Sequence, residues 1–122
     1  MNKLVIANWK MNGDIKFAQN FIKDYIKLTN SYPSTVKSIF CPPAILIPEF
    51  LNIDKALVGA QDCHFEDKGA FTGDISPESL SSMGAKYVIL GHSERRDAYH
   101  ESDELICKKT IAALKNNLTP II

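Results

Sequence analysis

The chain contains five short apolar runs spread along its length. Continuous runs of this kind are typical of strands buried on both faces, whereas strict alternation would mark a strand with one face in water. Polar residues, a glycine or prolines end the first four runs, where a strand would stop. The predicted strands are Leu4–Asn8, Val36–Phe40, Ala56–Ala60, Tyr87–Leu90 and Leu118–Ile122.

Segments with helical spacing or helix end signals separate these runs. Ser76 is placed to cap a helix, with Pro77 at its first position and Gly84 just past its end. Ser102 is a comparable cap for the last helix. The predicted helices are Asp14–Asn30, Ala44–Leu51, Pro77–Met83 and Asp103–Asn116.

Apolar residues at three- and four-residue spacing predict which helix faces are buried. The first helix has such a face at Ala18, Phe21, Ile22 and Tyr25. The last helix has one at Cys107, Ile111 and Leu114.

Strands and helices alternate throughout, which predicts parallel strands with helices packed outside them. An open doubly wound sheet and part of a (β/α)8 barrel both fit this order. In either fold the carboxyl ends of the strands meet on one face, where ligands bind. The polar residues that follow strands should therefore lie together, and they are Asn8, Lys10, Gln61, Asp62, His92 and Glu94.

His92 follows the most sharply defined strand end, in the stretch Tyr87–Arg96. Gly91 lets the chain turn where the apolar run stops. Residues from Ser93 onward can form a short helical turn, whose N-terminal dipole disfavours a charged imidazole. Arg95 and Arg96 are expected to form structural ion pairs.

Composition excludes several classes of function. Of the 122 residues 45% are hydrophobic, and 14 basic residues balance 14 acidic ones, so no overall field favours nucleic acid or an acidic membrane. No apolar run reaches the roughly 20 residues of a transmembrane helix. The first residues lack a secretory pattern, and we expect a cytoplasmic protein.

The cysteines and histidines predict neither a disulfide nor a metal site. Cys41, Cys63 and Cys107 are isolated from one another, and we expect each to be a buried, reduced thiol. The three histidines share no ligand spacing, so we expect no metal. There is no phosphate-binding glycine motif either, and we expect no cofactor.

Four segments of the chain together resemble triosephosphate isomerase. They are A-N-W-K-M-N (Ala7–Asn12), G-A-Q-D (Gly59–Asp62), G-A-F-T-G-D-I-S (Gly69–Ser76) and Y-V-I-L-G-H-S-E-R-R (Tyr87–Arg96). The resemblance covers the whole chain and implies the amino-terminal half of a TIM (β/α)8 barrel, with residues 1–122 as one incomplete domain. It implies interconversion of dihydroxyacetone phosphate and glyceraldehyde 3-phosphate through an enediol, in glycolysis and gluconeogenesis.

The resemblance also implies roles for individual residues. His92 matches the electrophile, which acts as a neutral ring; this is established behaviour of the family and no deduction of ours. Lys10 matches a lysine whose positive charge suits the phosphate and the developing enediolate. Glu94 matches a carboxylate that pairs with this lysine and holds it in place. Asn8 matches a substrate-contacting amide. Thr72, in the Cys63–Ile75 loop, matches a residue that reaches the partner's site in a homodimer.

The resemblance further implies that essential parts lie outside these residues. The family's general-base glutamate belongs to an E-P-V-W-like segment that the sequence does not contain. Its lid and phosphate-gripping loops are expected beyond the fifth strand. We therefore expect the chain alone to be inactive, as one portion of an isomerase. The alternative is a non-catalytic remnant that associates with itself or with a complementary half-barrel.

Overall fold

The computed structural model describes residues 3–29, 31–33, 35–54 and 56–122. Its strands form one parallel sheet in the order β1-β2-β3-β4-β5. This uninterrupted sequential order is that of a barrel, because a doubly wound sheet reverses its strand order at a switch point. The expected half of a (β/α)8 barrel is confirmed. The strands are β1 (Lys3–Asn8), β2 (Val36–Cys41), β3 (Ala56–Ala60), β4 (Tyr87–Ile89) and β5 (Thr119–Ile121).

Helices lie where the sequence predicts them, with one addition. The predicted turn after His92 is a complete short helix, so two helices separate β4 from β5. Pro48 stands in the first turn of a helix that a 3-10 turn, Ala44–Leu46, precedes. The helices are α1 (Ile15–Thr29), α2 (Ile47–Phe50), α3 (Pro77–Met83), α4 (Ser93–Tyr99) and α5 (Asp103–Lys115). Asn30, the predicted end of the first helix, lies outside the described residues.

The predicted helix ends follow from local hydrogen bonds. The Ser76 hydroxyl accepts from the Ser79 amide at 3.2 Å, and Gly84 closes α3 in the left-handed region at φ 116°. Ser102 caps α5 in the same way, accepting from the Leu105 amide at 3.2 Å. Each hydroxyl thus accepts a hydrogen bond from a backbone amide that has no partner within the first turn of the helix.

The main core lies between the sheet and the helices. Its aromatic centre is Trp9, Phe21, Phe40 and Phe50, whose rings meet mainly edge to face. The predicted face of α1 packs against this core, and Ala18 is fully buried there. A smaller cluster of Ile39, Cys41 and Ile89 fills the inner side of the sheet.

The prediction of a first strand buried on both faces is wrong. Leu4, Val5 and Ile6 are 52, 56 and 41% exposed. Within the described residues β1 pairs only with β2, so its other edge and part of both faces have no covering element. An apolar run shows that a strand is suited to burial, but it does not show whether neighbouring elements cover it.

The predicted buried stripe of α5 is wrong as well. Ile111 and Leu114 are 61 and 58% exposed, and Cys107 is exposed, against the expectation of a buried thiol. The helix instead turns Ile106, Lys109, Ala112 and Ala113 inward. Its two faces differ little in hydrophobicity, and a buried lysine on the inner one hides the correct pattern.

Within the described ranges, no helix is long and apolar enough to cross a membrane.

Candidate active site

One open cavity of about 400 Å³ lies at the carboxyl edge of the sheet. As predicted, the polar residues that follow β1, β3 and β4 all line it. They are Asn8, Lys10, Gln61, Asp62, His92 and Glu94. Met11, Ala44, Arg95 and Tyr99 also contribute to its wall. Residues that are up to 91 positions apart in the sequence, Asn8 and Tyr99, therefore line one cavity.

Lys10 is held in a conformation that is unusual for a residue with a side chain. Its φ of 55° lies in the left-handed region, which disfavours all residues except glycine. Two hydrogen bonds fix it there: the Lys10 amide donates to Asn8 Oδ1 at 2.9 Å, and Gln61 Nε2 donates to the Lys10 carbonyl at 2.8 Å. No sequence pattern predicts that Lys10 adopts a positive φ. The sequence places Gln61 at this edge of the sheet but does not reveal its hydrogen bond to the backbone of a distant loop.

The Lys10 ammonium forms an ion pair with Glu94, as predicted. Nζ donates to Oε1 at 2.5 Å, and both side chains are about half exposed. This hydrogen bond and the charge of Lys10 hold the pKa of the Glu94 carboxyl below its usual range. Glu94 therefore stays ionised and keeps the lysine in place at the cavity wall.

His92 caps helix α4 through its own ring. Gly91 makes the turn at the end of β4 with φ 68°, and Nδ1 of His92 then accepts from the Glu94 amide at 3.2 Å. Because Nδ1 is an acceptor in this bond, the neutral ring carries its proton on Nε2. The side chain is 28% exposed and lines the cavity. A hydrogen-bond donor is thus presented to anything bound there.

Thr72 does not share this cavity. It is exposed near the tip of the long loop between β3 and α3, whereas the other four predicted site residues lie together. The base of the loop is closed by the His64 amide, which donates to the Ile75 carbonyl at 2.8 Å. The His64 ring stacks on Phe65 and lies tilted against Phe71, which agrees with a structural role for that histidine.

Charged residues beside the cavity form ion pairs that confirm the prediction for the two arginines, and Lys109 and Glu101 among them are buried. Arg95 contacts Asp62 and Glu101, each at 3.0 Å. Lys109, which is 5% exposed, donates to both carboxylate oxygens of Asp62 at 2.9 Å and to Glu101 at 2.5 Å. Arg96 pairs with Asp103.

The partly buried Asp62 and the buried Glu101 respond differently to their surroundings. Burial raises the pKa of Asp62, although Lys109 and Arg95 oppose this effect. Burial also acts to raise the pKa of Glu101, but the hydrogen bonds and charges of Lys109 and Arg95 outweigh it and lower the pKa overall. Among the described residues, Oε2 of Glu101 has no hydrogen-bond partner. The sequence offers no signal for Lys109 or Glu101, since charged residues on a helix are usually solvated.

The arrangement suits chemistry at a carbonyl group. A neutral imidazole can donate to a carbonyl oxygen, and a fixed ammonium stabilises negative charge that develops there. The same ammonium suits a phosphate group. No cluster of three or more metal-ligating side chains occurs among the described residues.

Comparisons with known proteins agree with this geometry. The family model described as triosephosphate isomerase matches residues 3–122. Among curated proteins, a triosephosphate isomerase of Aquifex aeolicus (strain VF5) is 42% identical over 125 residues. The match includes the whole of this chain and 50% of the relative. The chain therefore spans about half the length of the curated relative it matches.

Proposed function

The chain belongs to the triosephosphate isomerase family, an isomerase family, and from that premise we propose that it supplies the electrophilic half of a triosephosphate isomerase site. The reaction is the interconversion of dihydroxyacetone phosphate and glyceraldehyde 3-phosphate through an enediol. The convergence of His92, Lys10 and Asn8 on one cavity carries this proposal.

In this proposal His92 transfers protons at the substrate oxygens, whereas Lys10 stabilises negative charge on the substrate. Nε2–H of His92 donates to the carbonyl oxygen as the adjacent carbon loses its proton, and the ring then exchanges protons between the two oxygens of the enediol. The Lys10 ammonium attracts the phosphate and stabilises the enediolate. Asn8 contacts the substrate through its amide. Glu94 keeps the Lys10 ammonium in place, which the short ion pair supports.

We propose that the general base comes from outside these 122 residues. The proton on the substrate carbon needs an acceptor on the far side of the cavity, and the sequence contains no E-P-V-W-like segment. General-base catalysis contributes about 10²–10⁴-fold, and loss of a lid and of a phosphate grip costs more. The chain on its own should therefore be inactive.

We propose a homodimer for the assembled enzyme, with the Cys63–Ile75 loop as the contact. Exposed Thr72 and the 40% exposed Phe71 near the loop tip support it, because a stiff loop that presents an aromatic ring is suited to a protein contact.

A second candidate is a non-catalytic chain whose activity is association alone. The exposed Leu4, Val5 and Ile6 favour it, since an uncovered apolar edge strand pairs readily with another chain. The two candidates differ in one respect that can be measured. Only the first predicts turnover when the remaining half of the barrel is supplied.

A coupled isomerase assay distinguishes them. We would measure the 122-residue chain alone and a chimera in which the chain continues into the remaining half of the Aquifex relative. We expect no turnover above buffer from the chain and clear turnover from the chimera. Turnover by the chain alone would refute the external base. A chimera that folds cooperatively but has no activity would favour the association-only candidate.

A further inference from the structure

Helix α4 carries both His92, at its N-cap, and Glu94, in its first turn, yet apolar burial does not hold it in place. All seven residues from Ser93 to Tyr99 lie in the described part of the chain, and each remains at least partly exposed. A helix of two turns is not stable by itself in water. Its orientation therefore depends on polar contacts with the rest of the fold.

Beyond the exposed ion pair of Glu94 with Lys10, two arginines of α4 make such contacts, and they are not equivalent. Arg96 donates from Nε to the Gly91 carbonyl at 2.7 Å, and its other contact is Asp103, whose side chain is 87% exposed. An ion pair that is open to water contributes little. The contacts of Arg96 thus remain within the local segment that includes α4.

Arg95 instead connects α4 to a different strand. Its guanidinium lies 3.0 Å from Oδ2 of Asp62, just past the end of β3, and 3.0 Å from Oε1 of Glu101. Asp62 is itself held, because the buried Lys109 contacts both of its oxygens. Because Nη2 contacts Asp62 and Nε contacts Glu101, the planar guanidinium is restricted in rotation as well as in distance.

We propose that Asp62 and Arg95 form a strut that sets the orientation of the His92 ring. The path has three links: Lys109 holds Asp62, Asp62 holds Arg95, and α4 then holds the Glu94 amide against Nδ1 of His92 at 3.2 Å. Asp62 and Arg95 are thereby positioning residues. As a role in catalysis this rests on the proposed function, but the orientation of the ring can be measured without any activity.

The first test is the tautomer of His92 by ¹⁵N NMR, with histidines labelled and the resonance assigned by its loss in His92→Gln. A ring fixed by the Glu94 amide shows two well-separated nitrogen signals with the proton on Nε2. In Asp62→Asn we expect the two signals to move towards each other. We also expect the Glu94 amide to exchange with solvent about fivefold faster, as the loss of one hydrogen bond implies. If the chain self-associates, the chimera takes its place.

Asp103→Asn is the matched control, because it makes the same chemical change in the partner of the other arginine. It should leave the tautomer and the Glu94 exchange rate as in the wild type. If Asp62→Asn lowers thermal stability but leaves both readouts unchanged, Asp62 is only structural and the proposal fails. If Asp62→Asn does not fold, Arg95→Lys tests the same strut, because it keeps the charge but loses the forked geometry. Mixed tautomers or an unprotected Glu94 amide in the wild type would overturn the proposal without any variant.

In the chimera, the strut predicts that Asp62→Asn lowers kcat while KM changes little. A lower kcat together with the changed tautomer supports a positioning role. A chimera with no isomerase activity refutes the proposed function, yet the NMR readouts still decide whether the strut exists.

Discussion

Lys10 and Glu94 lie 84 positions apart in the sequence, yet Nζ and Oε1 are 2.5 Å apart. The strands that end beside them, β1 and β4, are separated in the sheet by two further strands. The ion pair therefore crosses the open end of the half-barrel and joins the first βα loop to the fourth. It brings a fixed cation to the cavity that His92 also lines.

The ion pair predicts how Glu94 titrates. Its pKa is lowered in the folded chain, so the stability it contributes is complete above the ordinary value of 4.5 and is lost as the pH falls through the lowered pKa. Lys10→Met should return the Glu94 pKa towards its ordinary value. A ¹³C NMR titration of the carboxyl measures this, with Lys16→Met as the control. An unchanged Glu94 pKa in Lys10→Met would contradict the ion pair.

Lys109→Met should be strongly destabilising. It removes the cation from two carboxyls, the partly buried Asp62 and the buried Glu101, and breaking a buried pair in this way costs about 3–5 kcal/mol. Lys108→Met changes the neighbouring exposed lysine and should cost about 0.5 kcal/mol or less. Urea denaturation measures both free energies of unfolding. Equal losses of unfolding free energy in the two variants would show that the ion pairs of Lys109 do not stabilise the fold more than an exposed lysine does.

Much of the fold could be predicted from the sequence, because its signals are local. The cap at Ser76, the proline at 77 and the left-handed Gly84 each act within four residues, and α3 has the predicted bounds. The strand ends are equally local, and they place His92 and Lys10 at one edge. The same reasoning fails for β1, since the exposure of Leu4 depends on which neighbours a strand has and not on its own residues.

The candidate site could be predicted only in part, for a similar reason. The ion pair of Lys10 with Glu94 came from the family resemblance and not from spacing. Lys109 and Asp62 are 47 positions apart, and their contact depends on how α5 rotates about its axis. The periodicity of α5 favoured the stripe that contains Ile111, which is in fact exposed. A buried lysine makes the inner face look polar, so the network that supports the site was missed.

The three cysteines should react at very different rates. Burial raises the pKa of the Cys41 thiol to about 12, and burial together with the charge of Asp62 raises that of Cys63 to about 12, whereas Cys107 is exposed. A thiol reagent should modify one cysteine quickly in the native chain and all three after unfolding. Cys107→Ser should abolish the fast phase. A fast phase that persists in this variant would contradict the burial of the other two.

Gly91→Ala should be more destabilising than Gly73→Ala. Both glycines have positive φ, so both substitutions strain the backbone. A Cβ at position 91 would lie 2.9 Å from Cδ1 of the buried Ile106, whereas a Cβ at position 73 would meet nothing within 4 Å. Overpacking of this kind costs about 1–3 kcal/mol, and thermal or urea unfolding measures the difference. Similar losses of unfolding free energy in both variants would mean that the turn before His92 accommodates a Cβ without a steric clash.

We propose that this chain supplies the electrophile and the cation of an isomerase site and that the base comes from outside these 122 residues. The most direct measurement is kcat/KM for triose phosphate in the chimera, with and without Lys10→Met and His92→Gln, beside the 122-residue chain alone. We expect no turnover from the chain, clear turnover from the chimera, and losses of about 10²–10³-fold for Lys10→Met and about 10²–10⁴-fold for His92→Gln. Turnover by the chain alone would show that the base lies within these 122 residues, and a chimera whose kcat/KM neither substitution changes would show that Lys10 and His92 are not catalytic.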